Sequence, residues 1–237
     1  MNAATFETMR RYPGNLLAGA LYRLRSRLGL LKTAEKRQEL VGPAHLWRMK
    51  RDFQISFLKA HSLRPDQTLL DLGCGVLRGG LALIEFLDPG HYWGFEVRPS
   101  VLEEGRKALA ESGLTYKHPV LLTCDSLDGL SITEHFDFVW AFSVLIHMSD
   151  QVLDRSFAWT AGHLQPEGRF YANVITDIGT DGDWQGFPVV HRSLDFYSER
   201  ARVHGLHIES LGSLGSLGHV SGSRTQDNQI MLEFRLE

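Results

Sequence analysis

Leu69-Leu70-Asp71-Leu72-Gly73-Cys74-Gly75-Val76-Leu77-Arg78-Gly79-Gly80 decides how this chain is read. An apolar run ends in an acid, glycines follow at 73, 75, 79 and 80, and a second apolar segment begins at Leu81. That order is a strand, a tight turn and a helix start. Glycine adopts backbone angles that other residues avoid, and its bare main chain lets a ligand lie close. A helix start behind the turn adds N–H groups with no partner inside the helix. In open α/β sheets such a turn, at the carboxyl end of a strand, is where nucleotides bind.

The segments around it repeat the pattern. Thr68 to Leu72 reads as the first strand and Leu81 to Leu87 as its crossover helix, stopped at Asp88-Pro89-Gly90. Further strands are expected at Tyr92–Glu96, Val120–Asp125, Phe136–Phe142, Arg169–Ile175, His207–Leu211 and Gln229–Leu236. Helices are expected at Val101–Ser112, Val152–Leu164 and Leu194–His204, with a turn at Pro166-Glu167-Gly168. Upstream, Leu46, Met49, Phe53, Phe57 and Leu58 recur at helical spacing between Ala44 and His61. Alternating strands and helices imply a mostly parallel, doubly wound sheet with right-handed crossovers. The last two strands lack a helix of normal length between them, so the final strand should run antiparallel.

The glycine spacing separates two nucleotide-binding types. A dinucleotide fingerprint reads G-x-G-x-x-G. Here the third glycine comes one residue later, and Asp71 stands two residues before the first. The acid-x-G-x-G pattern resembles the first motif of the class I S-adenosylmethionine-dependent methyltransferases. The likeness extends over about residues 66–237. It implies a Rossmann-like sheet of seven strands with an antiparallel last strand, and S-adenosylmethionine as cofactor. On that resemblance Gly73, Cys74, Gly75 and Gly79 form the cofactor turn. Asp71 holds the turn or reaches the methionine ammonium through water. Arg78 pairs with the methionine carboxylate or with a neighbouring acid. Glu96, 21 residues after Gly75, would accept hydrogen bonds from both ribose hydroxyls. Asp125, ending the third strand, would face the adenine amino group, with Ser126 beside it. Phe142 and Ser143 follow the fourth strand, where the family's cofactor meets its acceptor.

Methyl transfer needs alignment of two partners more than elaborate chemistry. His147 is the candidate general base, because neutral imidazole takes a proton near neutral pH. Acceptor contacts are expected from Asn173, from Trp184 and His191 in the Asp- and Gly-rich loop Thr176 to Ser193, and from His219. The acceptor is expected to be a small molecule or glycan-like, with oxygen ahead of nitrogen. The Asn-Pro-Pro-aromatic signature of amide-nitrogen and adenine methyltransferases is absent, since the segment reads Phe142-Ser143-Val144-Leu145. Rival readings are an aminopropyl transferase, for which Ser143 to Ser149 lacks an acid-rich polyamine pocket, and a non-catalytic binding protein on the same fold. Eleven histidines form no H-x-E or H-E-x-x-H pattern, so no metal is expected.

Charge narrows the partners. The 237 residues carry a net charge of −3, which gives no footprint for nucleic acid. The charge is uneven, however. Residues 1–37 hold eight Lys/Arg against two acids, while the rest hold 17 against 26. Leu21, Leu24, Leu28 and Leu31 recur at helical spacing within the basic segment. Residues 1–43 are therefore expected to be a basic helical arm, ahead of a domain at 44–237. The favoured expectation is a cap, with its leucine stripe packed on the domain and its arginines in water. The alternative is a peripheral membrane or partner contact through residues 1–37. Two cysteines, Cys74 and Cys124, suit a reducing, cytoplasmic setting rather than a disulfide framework.

Overall fold

A computed structural model describes residues 15–237. The first two helices, α1 (Asn15–Arg27) and α2 (Thr33–Glu39), lead into α3 (Trp47–Ala60). Then come β1 (Leu69–Leu72), α4 (Gly80–Phe86), β2 (Tyr92–Glu96), α5 (Pro99–Glu111), β3 (Val120–Thr123), β4 (Phe136–Ala141), α6 (Asp150–His163) and β5 (Leu164–Val174). The chain ends with a short hairpin, β6 (Gly182–Trp184) and β7 (Phe187–Val189), then α7 (Leu194–Val203), β8 (Leu206–Ser213), α8 (Arg224–Asp227) and β9 (Ile230–Leu236).

Seven strands form one sheet in the order β3-β2-β1-β4-β5-β9-β8. The first five pair in parallel, and β9 runs antiparallel to both β5 and β8. Strand side chains alternate between the faces. Leu69, Phe138, Trp140 and Tyr171 meet Phe53, Phe57 and Leu58 of α3, Leu83 and Ile84 of α4, and Leu102 and Leu109 of α5. Leu70, Val139, Ala141, Phe170 and Ala172 meet Leu153 and Phe157 of α6 and Tyr197 and Ala201 of α7. The doubly wound, mostly parallel sheet with an antiparallel last strand is the architecture that the sequence implied.

Three local differences stand out. Helix α6 starts at Asp150 rather than Val152, because the Ser149 hydroxyl accepts the Val152 N–H and caps it. Pro166-Glu167-Gly168 is a bulge within β5: Leu164 pairs with Phe136, yet Arg169 already pairs with Phe138. The loop after β5 contains the β6–β7 hairpin.

The arm also departs from expectation. Helix α1 packs through Gly19, Tyr22 and Ser26. Tyr22 donates to Glu39 and lies 4.8 Å from the His45 ring, and Ser26 also donates to Glu39. Leu21, Leu24 and Leu28 lie on the opposite side and are 55–61% exposed. The leucine stripe thus does not pack on the domain, because small and polar residues take that face. Residues 1–14 of the expected arm lie outside the described residues.

Candidate functional site

Four strand ends converge at the carboxyl edge of the sheet. After β1 the chain turns through Gly73 at φ +76° and Gly75 at φ +58°, angles that favour glycine. The N–H groups of Gly73 and Cys74 both donate to Phe95 O, at 2.8 and 2.9 Å, which ties the turn to β2. A methyl group on Gly73 would meet Val144 Cγ2 at 2.5 Å, so this cradle closes to any larger residue. Leu77 and Ser143 also hold left-handed angles, φ +61° each, and both flank this edge. Non-glycine residues adopt such angles at a cost, where the surroundings enforce them. For Ser143 the enforcing group is Asn173, whose Oδ1 accepts its N–H at 2.7 Å.

Glu96 ends β2 and is buried. Its Oε2 accepts the Gly75 N–H at 3.1 Å, and its Oε1 accepts from the Arg98 N–H and Nε at 3.1 and 3.0 Å. Arg98 is a residue that sequence reasoning missed. Its guanidinium also donates to Leu40 O and Gln185 Oε1, and lies 5.8 and 5.6 Å from the Trp184 and Phe187 rings. It thereby joins the acid, the arm and the β6–β7 hairpin.

A cavity of about 540 Å³ opens here, and Gly73, Glu96, Asp125, Ser126, Ser143, His147 and Trp184 all line it. His147 stacks on Trp184 at 5.1 Å. Its Nδ1 lies 2.9 Å from Pro188 O, an acceptor only, so Nδ1 carries the hydrogen and Nε2 keeps a lone pair. Burial holds the His147 pKa below the usual histidine range, so the ring is neutral at pH 7.

Other expected site residues lie elsewhere. Asn173 is fully buried, and its amide is spent on Ser143 N and Gln229 Oε1, so it positions Ser143 instead of meeting an acceptor. Phe142 is buried among Phe53, Trp140 and His219, outside that cavity's lining. Gly79 packs against the Gln54 amide and Cys74 under Gly94, both away from the cavity. His191 pairs with Asp177 at 2.9 Å and is likewise not part of the lining. Cys124 lines the cavity, and burial pushes its thiol up to about 11, so it stays protonated.

A second polar group sits on the other side of the glycine turn. Asp71 accepts from Tyr92 Oη at 2.7 Å, and burial pushes its carboxyl up to about 7. Arg78 donates to Val41 O at 2.8 Å, and burial pulls it down to about 10. Lys50, buried on the apolar face of α3 between Met49 and Phe53, was also missed. Burial pulls it down to about 7, with the charge of Arg78 adding to the effect. The visible signal was a lysine four residues after Leu46 and three before Phe53, on the face that goes inward. His219 is buried, and its Nδ1 lies 2.8 Å from Asp227, which also accepts from Ser221 N and Oγ. Its Nε2 has no hydrogen-bond partner.

Residues 69–168, which carry the glycine turn, Glu96 and Asp125, match the family profile of a methyltransferase domain. Over those residues the chain carries a methyltransferase domain. Solved structures agree with this methyltransferase in fold. Magnesium protoporphyrin IX methyltransferase from Synechocystis, with bound S-adenosylmethionine, superposes with a TM-score of 0.63 at 15% identity, over 93% of this chain and 97% of that one. An S-adenosylmethionine-dependent methyltransferase from Clostridium acetobutylicum gives 0.61 at 15% identity, over 80% and 92%. The glycopeptide N-methyltransferase MtfA, complexed with S-adenosylmethionine, gives 0.60 at 14%, over 79% and 94%. No curated protein sequence matches the methyltransferase. The donor set fits S-adenosylmethionine: a bare main chain at Gly73 and a buried carboxylate at Glu96 face one cavity. Among the described residues there is no group of three His, Cys, Asp or Glu that could hold a metal, and no helix long and apolar enough to cross a membrane.

Proposed function

We propose that this methyltransferase acts on a small-molecule or glycan-like acceptor, at oxygen. The observation that carries the reading is a basic His147 Nε2 on the same cavity wall as the Glu96 carboxylate. When bound, S-adenosylmethionine supplies a methyl group on a cationic sulfur, a leaving group that needs no acid. The chain's residues do the rest. Glu96 accepts the ribose hydroxyls in place of Arg98, which swings toward Trp184 and Phe187. Asp125 and Ser126 meet the adenine edge. The glycine turn lies along the cofactor, and Lys50 and Arg78, on its other side, take the methionine carboxylate, with Asp227 and Asp71 the acids that already act on them. A hydroxyl acceptor must give up its proton as it is methylated, and His147 Nε2 takes it, while the Pro188 carbonyl keeps the ring in that tautomer. Trp184 offers a flat apolar wall against a ring-shaped acceptor.

The neighbours named above include enzymes acting on a glycopeptide and on a magnesium porphyrin, which supports an acceptor with a planar or sugar-bearing body. The buried core begins at Ala44, which supports a catalytic domain from 44 onward with 1–43 as an arm. Two unpaired, buried cysteines suit the cytoplasm.

The test is release of S-adenosylhomocysteine from S-adenosylmethionine across matched panels of phenols, glycosides and amines. Methylation of hydroxyl compounds, lost in His147→Ala by about 100-fold with unchanged cofactor affinity, is the expected result. Methylation confined to amines, or full turnover in His147→Ala, overturns the oxygen assignment.

A further inference from the structure

Helix α1 presents an apolar ridge to solvent. Leu21, Leu24 and Leu28 are 60%, 55% and 61% exposed, and Leu30, just past the helix, is 60% exposed. At about 100° per residue Leu21, Leu24 and Leu28, the last one residue past the helix with its N–H still on Leu24 O, fall within roughly 60° of one another. Gly19, Tyr22 and Ser26 occupy the opposite side, which faces the protein. The inner face is thus already satisfied, and the ridge has no partner among the described residues.

Charge surrounds the ridge. Arg23 and Arg27 lie along one flank of α1, and Lys32 and Lys36 follow in the next turn and α2; all are exposed. The nearby acids are committed elsewhere. Glu35 takes both guanidinium nitrogens of Arg25, at 2.9 and 2.7 Å, and Glu39 accepts from Tyr22 and Ser26. Arg23, Arg27 and Lys36 have no acidic partner among the described residues. The body of the chain is acidic by contrast, with 17 basic against 26 acidic residues after position 37.

We infer that α1 docks on an anionic lipid surface, with the leucine ridge in the headgroup boundary and the basic side chains among lipid phosphates. Leucines on one side of a short helix, with long cationic side chains that reach back to the headgroups, are the features of an interfacial helix. Each basic residue near such a surface adds attraction, while the acidic body is held away from it. Pairing with a second copy is disfavoured, because a two-fold contact along the ridge would set Arg23 and Arg27 of both copies against each other. An acidic protein partner is disfavoured as well, since no polar group among the leucines fixes a register. The arm also touches the cavity lining through Arg98, which donates to Leu40 O, and the glycine turn through Arg78, which donates to Val41 O. Docking would therefore hold the site close to the lipid surface, whatever the acceptor is.

The test is co-sedimentation of the full chain with vesicles of phosphatidylcholine alone, and with about a quarter phosphatidylglycerol. The chain should pellet with the anionic vesicles at low salt and be released as salt screens the charges. Leu24→Glu/Leu28→Glu and Arg23→Glu/Arg27→Glu should each weaken this association at least about tenfold. These side chains are exposed, so circular dichroism and S-adenosylhomocysteine affinity should stay as in the parent protein. A chain that stays in the supernatant with both vesicles overturns the inference, as does pelleting that the leucine changes leave intact. A dimer that Leu24→Glu converts to monomer would assign the ridge to a second copy and equally overturn it. None of these readouts depends on the acceptor or on methyl transfer.

Discussion

At the scale of single residues, the proposed cofactor contacts rest on charged groups that already hold partners within the chain. Glu96 holds Arg98 and the Gly75 N–H with its two oxygens. Ribose hydroxyls would replace the first contact. Removing the charge with Glu96→Gln should weaken S-adenosylhomocysteine binding by about 1.5–3 kcal/mol, roughly 10- to 100-fold, as read by calorimetry. Unchanged affinity would detach Glu96 from the cofactor. Lys50 makes a sharper prediction. Its ordinary pKa is 10.5, and burial pulls it down to about 7, so the amine is mostly neutral above neutral pH in the free protein. The sign follows directly: a depressed cation gives the fold a contribution that is present at high pH and lost as pH falls toward 7. A carboxylate beside Lys50 restores its charge, so binding takes up a proton between those two values. S-adenosylhomocysteine affinity should therefore fall as pH rises through about 8 to 10. Methylthioadenosine, which lacks the carboxylate, should show no such uptake when titrated in buffers of different ionisation heat. Lys50→Met should abolish the uptake. Equal uptake by both ligands would move Lys50 away from the methionine tail.

At the scale of elements, turns and caps decide more than strands do. The order of the sheet could be read from alternation of apolar runs and from the acids at strand ends, because burial on both faces imposes long apolar strands. The β6–β7 hairpin escaped that reading, since each strand has three residues, too few for a period to show. Its signal was the two-residue turn Gln185-Gly186, both at positive φ, which is the turn that matches strand twist in a hairpin. The hairpin matters because it brings Trp184 onto His147 and Pro188 O onto Nδ1. Asn173 shows the opposite failure. A polar residue near a strand end looked available for an acceptor, but tertiary packing turned it inward onto Ser143 and Gln229. Asn173→Ala should leave a buried N–H and a strained Ser143 unsupported. We expect a loss of about 1–3 kcal/mol in urea unfolding, with weaker cofactor binding through the displaced segment after β4. Native stability in that variant would show that Ser143 holds its angle without the amide.

Over the whole molecule, the sheet buries its core on two faces, and the cavity at its carboxyl edge is lined by residues from several separate segments, so ligand and fold are energetically linked. The placing of Gly73, Glu96 and Asp125 around one cavity was legible because strand ends are local in sequence. The grouping of Lys50, Arg78 and His219 was not, because it joins α3, the turn after β1 and the segment after β8 across distances that no spacing encodes. A ligand that spans such a set binds only the folded chain, and it must stabilise the fold by mass action. At 100 times its dissociation constant, S-adenosylhomocysteine contributes about 2.7 kcal/mol. In a domain of this size each kcal/mol moves the melting temperature by about 2–4 °C, so the expected rise is roughly 5–10 °C. NAD at the same concentration should give no rise, since the turn spacing and Asp71 suit the other cofactor. Glu96→Gln should lose about 3–5 °C of the ligand-induced rise at fixed concentration for a tenfold loss of affinity. A rise with NAD, or none with S-adenosylhomocysteine, would contradict the link between this edge and the cofactor, because binding there has to appear in the stability of the chain that forms it.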